Sequence, residues 1–288
     1  MTAIQVAAFL DADSETFSYV VYEPTQKDAV VIDPVLDFDY QSGRTSTAGA
    51  QRLVDFIRQQ QLKVAWILET HAHADHLSAA PFMQEEVGGK LGIGEHIRQV
   101  QAIFKEVYGL EKEFLPNGHQ FDHLFSDGEV FQVGLMTFRV MHTPGHTPAD
   151  VCFVVNEQLV FVGDTLFMPD VGTARCDFPG GDAATLYQSI QRILALPPAT
   201  KIYICHDYPP AHRDYQYQTT VAAQRDQNIH VKTGISQQEF VAMRNARDAT
   251  LAMPRLILPA IQVNIRAGHF PSPAADGQIY LKLPINRL

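Results

Sequence analysis

The heptapeptide Thr70-His71-Ala72-His73-Ala74-Asp75-His76 follows directly on the apolar run Val64-Ala65-Trp66-Ile67-Leu68. A buried strand ending in three imidazoles and a carboxylate delivers them to a sheet edge. There a cation can collect them and still keep positions open for substrate. A solvated polar turn would account for one such histidine. The pattern H-x-H-x-D-H after a hydrophobic strand points instead to a metal, and it requires further ligands from elsewhere in the chain.

The rest of the chain supplies strand ends. Residues 4–10, 16–23 and 29–33 are short β-branched and aromatic runs separated by turn signals, an antiparallel opening. Leu53, Val54, Phe56 and Ile57 fall at helical spacing within 48–60, before the strand 64–70. The pattern is helical over 77–87, stops at Gly88-Gly89, and continues as a strand at 90–94 and a second helix. Residues 108–127 have no clear period and read as a surface loop in which His119 and His123 are solvated bystanders. Strands return at 129–133, 135–141, 151–155 and 158–163, the last pair joined by a tight Asn156-Glu157 hairpin. A helix at 182–196, a strand at 201–205 and helices at about 214–227 and 237–251 follow, the last opened by a Ser236/Glu239 capping box. After Pro254 the chain reads as Pro-rich and strand-like. Two β-rich blocks, each followed by helices, predict two packed sheets with helices outside, a four-layer αββα sandwich of class α/β. Residues 1–288 form a single domain in this reading, with about 210–288 as a helical and Pro-rich extension packed on it.

Composition narrows the partners. With 288 residues, 46% of them hydrophobic, the chain can bury a large core. A net charge of -10, from 22 basic and 32 acidic residues, repels polyanions and argues against nucleic acid and anionic membranes, so an anionic substrate must meet a local basic pocket. Residues 1–20 carry Asp11, Asp13 and Glu15 without a basic targeting pattern, and no apolar run approaches the roughly twenty residues of a membrane helix. A cytoplasmic location is therefore expected. Cys152, Cys176 and Cys205 have no paired spacing, which suits a reducing compartment. Cys152 and Cys205 read as core, and Cys176 as a neutral loop thiol.

Ligand candidates recur where later strands end. His142-Thr143-Pro144-Gly145-His146 closes one, Gly163-Asp164 the next, and His206-Asp207-Tyr208 a third. Turn and cap roles would explain His146 or Asp164 singly. They do not explain His or Asp at four successive strand ends. With the heptapeptide, Gly145-His146-Thr147, Gly163-Asp164 and His206 resemble the metallo-β-lactamase superfamily, whose fold is the αββα sandwich, over about residues 5–210.

A narrower resemblance lies in Gly163-Asp164-Thr165-Leu166-Phe167, in Gly172 through the Arg175-Cys176-Asp177-Phe178 segment, and in Cys205-His206-Asp207-Tyr208. These are similar to the persulfide dioxygenases of the ethylmalonic-encephalopathy-protein type. Phe167-Met168-Pro169-Asp170 and the tail through Asn264-Ile265-Arg266 are closest to the bacterial β-lactamase-hydrolase-like branch. The resemblance implies one Fe(II) per chain on His71, His146 and Asp164, a facial set that leaves positions for O2 and substrate. It implies that Asp75, His76 and His206 support catalysis, with His73 outside the ligand set. It further implies Tyr208 at the sulfur end of glutathione persulfide, Arg175 on a carboxylate, and His230 where relatives carry another substrate-binding Arg. Arg266 reads as a salt-bridge residue. A homodimer is also implied. The reaction would oxidise the sulfane sulfur to sulfite and release glutathione. The alternative is a dinuclear zinc hydrolase of the glyoxalase II or lactonase type, in which all seven motif residues hold two zincs.

Overall fold

Alternating β-branched and aromatic residues build three antiparallel strands, β1 (Gln5–Asp11), β2 (Thr16–Tyr22) and β3 (Asp28–Ile32). The structure, a computed structural model, describes residues 4–287. The chain continues through β4 (Val35–Asp39), β5 (Arg44–Ser46), α1 (Ala48–Gln60), β6 (Lys63–Leu68), β7 (Leu77–Ser78), α2 (Ala80–Val87), β8 (Lys90–Gly94), α3 (Ile97–Tyr108) and β9 (His123–Phe125). The first sheet has the order β1-β2-β3-β6-β8-β9, and β5-β4-β7 form a small separate sheet. The second half adds β10 (Val130–Val133), β11 (Met136–His142), β12 (Val151–Val155), β13 (Leu159–Phe161), α4 (Ala183–Leu194), β14 (Lys201–Tyr203), β15 (Gln218–Thr220), α5 (Val221–Gln227), α6 (Gln237–Asp248) and α7 (Ile257–Asn264). Strands β10 to β15 form the second sheet in sequence order.

The period of two decides the layers. Phe17, Tyr19, Val21, Val30 and Ile32 face Phe138, Val140, Phe153 and Phe161 across the gap between sheets. The intervening Val20, Ala29 and Val31 pack under α1, α2, α3 and α7. On the far side Cys152, Val154 and Val160 lie under α4 and α6. Three apolar layers separate four structural ones, the αββα sandwich expected from the sequence. The Asn156-Glu157 hairpin is present with φ of 48° and 54°, the conformation a type I′ turn requires. The Ser236/Glu239 capping box also forms.

Three expectations are corrected. Residues 257–264 are helical rather than strand-like, because Leu256, Ile257, Ala260 and Ile261 recur at helical spacing and fill the layer over the first sheet. Pro259 is the third residue of that helix, where an N–H would have no intrahelical acceptor. The helix expected from 214 begins only at Val221. Gln218–Thr220 pair with β14 instead, and the Thr220 hydroxyl caps α5 by accepting the Ala223 N–H at 3.1 Å. His123 lies in a strand paired with β8, with its Nε2 2.6 Å from Glu129, rather than in a loop.

Phe153 is fully buried between the sheets. Phe153→Ala should cost about 3–5 kcal/mol, read as a lower urea midpoint at unchanged slope. A loss below about 1 kcal/mol would contradict this packing.

Candidate metal centre

Strand β6 runs parallel between β3 and β8, so the loop 69–76 emerges beside both of their C-terminal ends. Asp33, left-handed at φ 50° after β3, accepts the Thr70 N–H at 2.7 Å and the Thr70 hydroxyl at 2.9 Å. The Glu69 N–H donates to Gly92 O at 2.9 Å, and the Val151 N–H donates to Thr70 O at 2.9 Å, tying the second sheet to the loop. Two glycines allow the remaining ligands to close in. A Cβ at Gly163 (φ 51°) would lie 2.7 Å from Thr70 Oγ1, and one at Gly145 (φ 141°) would lie 2.3 Å from Leu186 Cα.

His71, His146 and Asp164 converge, with their ligand atoms within 4.8 Å of one another. Their hydrogen bonds fix the tautomers. The Thr70 hydroxyl donates to Asp33, so it accepts from His71 Nδ1 at 3.0 Å; His146 Nδ1 donates to Arg175 O at 2.8 Å. Both Nε2 lone pairs therefore face inward. Burial, with His73 and His146 nearby, pushes the His71 pKa well down and keeps that ring neutral. The two Nε2 atoms stand 4.0 and 3.7 Å from Asp164 Oδ2. Donors about 2.1 Å from a shared ion stand roughly 3–4 Å apart. His71 Nε2 and Asp164 Oδ1 are buried without a hydrogen-bond partner. Acceptors that converge with no proton between them are satisfied by a cation, so the donor set fits the metal that the motif implies.

A second group flanks the first. His206 Nε2 lies 3.4 Å from Asp164 Oδ1 and 3.3 Å from Asp75 Oδ2, and His76 Nδ1 lies 3.1 Å from Asp75 Oδ2. Burial would raise the Asp75 pKa, but the facing His206 and His76 outweigh it and hold the carboxyl well below its usual range. Burial would likewise lower His206, yet Asp164, Tyr208 and Asp75 raise it well above the ordinary imidazole value. The His73 ring lies 4.0 Å from the His71 ring, and His73 also groups with Asp75 and His76 as a candidate ligand set. Its Nε2 lies 3.1 Å from Asp33 and 3.4 Å from Glu69, and its Nδ1 is buried without a partner.

A cleft of about 600 Å³ opens onto His146, Asp164 and Asp75. Tyr208 lines it, 43% exposed, with its ring stacked 5.7 Å from His206. Arg175 also lines it, but its fork is engaged: Nε and Nη2 donate to the two Asp177 oxygens at 2.6 Å and Nη1 to Ala252 O at 2.6 Å. The fork expected to meet a substrate carboxylate is thus already paired within the protein. His230 is not among the lining residues; it is buried behind Gly172, and its Nδ1 accepts the Thr173 N–H at 3.0 Å. In this position the residue expected at the substrate holds the loop at Thr173. Burial lowers its pKa to about 4, consistent with a neutral acceptor. Arg266 forms the expected salt bridge, 2.8 Å from Glu111. Cys176 is buried, which pushes its thiol well up and keeps it neutral.

Three supporting residues escaped the sequence reading: Asp33, Glu69 and Asn264. The Asp33-Pro34 step after a strand was an available signal for the first. Asn264, at the end of α7, donates to both His73 O and His76 O at 2.8 Å and accepts the Ser78 N–H at 2.8 Å, bracing the metal loop from 188 residues away. Asn264→Ala leaves these buried groups unpaired. It should cost about 1–3 kcal/mol and weaken metal retention, read by thermal melts and metal analysis after dialysis. Unchanged stability would remove this role.

Residues 13–206 match the profile of the metallo-beta-lactamase superfamily. The chain is 49% identical to a probable metallo-hydrolase of Burkholderia pseudomallei, over 98% of this chain and 99% of that one. It is 47% identical to glyoxylase B2 of Dictyostelium discoideum, over 99% and 98%. It is 29% identical to the human mitochondrial persulfide dioxygenase ETHE1, over 88% and 84%. The crystal structure of ETHE1 from Myxococcus xanthus superposes with a TM-score of 0.71 at 27% identity, covering 92% of this chain and all of that one. With its sandwich, its convergent ligands and its profile match in agreement, the chain belongs to the metallo-β-lactamase superfamily.

Proposed function

We propose that this protein is a persulfide dioxygenase that holds one Fe(II) on His71, His146 and Asp164 and oxidises glutathione persulfide. The observation that carries the reading is the convergence of two tautomer-fixed imidazoles and one carboxylate, while His73 turns its Nε2 to Asp33 and Glu69. Two nitrogens and one carboxylate on one face of an ion are the donor set of non-haem iron oxygenases. Likeness to ETHE1 proteins in sequence and in structure supports it further. The reaction balances as glutathione persulfide, O2 and water giving glutathione, sulfite and two protons, with the terminal sulfur oxidised and dioxygen reduced. When bound, the iron supplies electrons and adjacent open positions at which dioxygen can meet a sulfur nucleophile.

The chain's own residues position and protect. Thr70 and Arg175 O aim the two imidazoles, while His206, 3.3 Å from Asp75, stands 3.4 Å from the second oxygen of Asp164. Desolvation within the cleft raises the Tyr208 pKa, so its hydroxyl stays protonated; with no hydrogen-bond partner among the described residues, it can donate toward the sulfur end of the substrate. The second reading, a dinuclear zinc thioester hydrolase, draws on the names of the two relatives near half identity and on Asp75, His76 and His206 beside Asp164.

Oxygen uptake by metal-analysed protein on adding glutathione persulfide separates the two. About one iron per chain, with sulfite formed as O2 is consumed, is the expected result. Two zincs per chain and oxygen-independent thioester hydrolysis would overturn it. Asp164→Ala should lose both iron and uptake. His73→Asn removes the imidazole that faces the buried Asp33 and Glu69 carboxylates, whose other partners are Thr70 and Ser78, and should lower stability by about 1–3 kcal/mol. It should nevertheless keep its single iron, whereas a dinuclear site would lose metal.

A further inference from the structure

Four arginines line the cleft of a chain whose net charge is -10: Arg175, Arg244, Arg247 and Arg255. Two are occupied with holding the wall. Arg244, 1% exposed, donates to Asp248 Oδ1 from Nε (2.9 Å), keeps Nη2 2.6 Å from the same oxygen as an ion pair, and donates to Thr173 O from Nη1 (3.1 Å). Asp248 Oδ2 accepts the Cys176 N–H at 2.8 Å, and Arg175 reaches across to Ala252 O. Helix α6 and the turn after it are thereby stapled to the loop whose Arg175 carbonyl orients His146. The wall is registered to a metal ligand through a single residue.

Arg247 and Arg255 are different. Both are exposed, both line the cleft, and neither side chain has a hydrogen bond or ion pair among the described residues. Leu251, 40% exposed, lies between them in sequence, and Ile229, 52% exposed, shares the lining, so the cations border apolar surface. Asp13, also exposed and lining, has no side-chain partner either. Two free guanidinium groups and one free carboxylate complement a ligand with two carboxylates and one ammonium. Glutathione carries that set.

The geometry points to Arg247 and Arg255 as the residues that recognise the two carboxylates of the glutathione moiety, in place of Arg175 and His230. The assignment deepens the proposed function and rests on its glutathione substrate. It makes the protein selective for a dicarboxylate peptide persulfide over inorganic hydrogen disulfide.

Steady-state oxygen uptake on both persulfides tests it. Arg247→Ala and Arg255→Ala should each raise KM for glutathione persulfide about 10-fold, and the pair about 100-fold, with kcat within about twofold. The preference for glutathione persulfide over hydrogen disulfide should fall by the same factors, and Arg247→Lys should recover part of the loss. Arg58→Ala removes an equal charge from the outer helix α1 and should leave KM unmoved. Calorimetric titration of glutathione itself into metal-loaded protein gives a readout free of oxygen chemistry, with binding to wild type and loss in the double variant expected. No binding to wild type, an unchanged double variant, or equal losses on both persulfides would overturn the assignment. Arginine-dependent glutathione binding without oxygen uptake would instead sink the dioxygenase reading and leave this one standing.

Discussion

The Asp33 carboxylate is the interaction on which the metal loop depends. One oxygen accepts the Thr70 N–H and lies 3.1 Å from His73; the other accepts the Thr70 hydroxyl, whose own oxygen takes the proton of His71 Nδ1. A single side chain at the end of β3 thus fixes the backbone where β6 ends and the lone pair that His71 turns inward. Buried carboxylates are costly unless their hydrogen-bonding capacity is filled, and here that filling determines the geometry of the site. The left-handed backbone of Asp33 is sustained by the same contacts.

Electrostatics divide the centre into two parts. The trio around Asp164 Oδ2 offers lone pairs with no carboxylate proton between them, whereas Asp75 lies within 3.3 Å of both His206 and His76, and His73 faces Asp33 and Glu69, although Nε2 of His76 and of His206 also lacks a hydrogen-bond partner among the described residues. A cation is needed most where pairing is absent. The outer cleft shows the same contrast in the opposite sign: Arg175 and Arg244 are neutralised by Asp177 and Asp248, while Arg247 and Arg255 are not.

Much of this was legible in the sequence, because the information was local or repeated. The run 64–68, the heptapeptide and the strand ends at His146, Asp164 and His206 each announce themselves within a few residues, and β-strand periodicity was enough to predict both sheets and their helices. What escaped was long-range or compositionally disguised. The helix α7 was masked by Pro254 and Pro259, although the second falls where a proline costs no hydrogen bond. Arg247 and Arg255 look like ordinary solvated charges, since nothing local says that α6 borders the cleft. The Asp177 partner of Arg175 stands two residues away in the sequence, but the contacts of Arg175 with Ala252 and of His230 with Thr173 join distant segments and emerge only in the folded chain.

The brace from Asn264 ties the order of synthesis to the chemistry. The loop that carries His71 to His76 leaves the ribosome early, yet its carbonyls at residues 73 and 76 are not held until α7, almost two hundred residues later, has docked. Full bracing of the loop is therefore deferred until nearly the whole of this sequence is available, and a polypeptide interrupted before α7 lacks that support for holding a metal. Loading becomes a report on completion, written into the fold by one amide side chain.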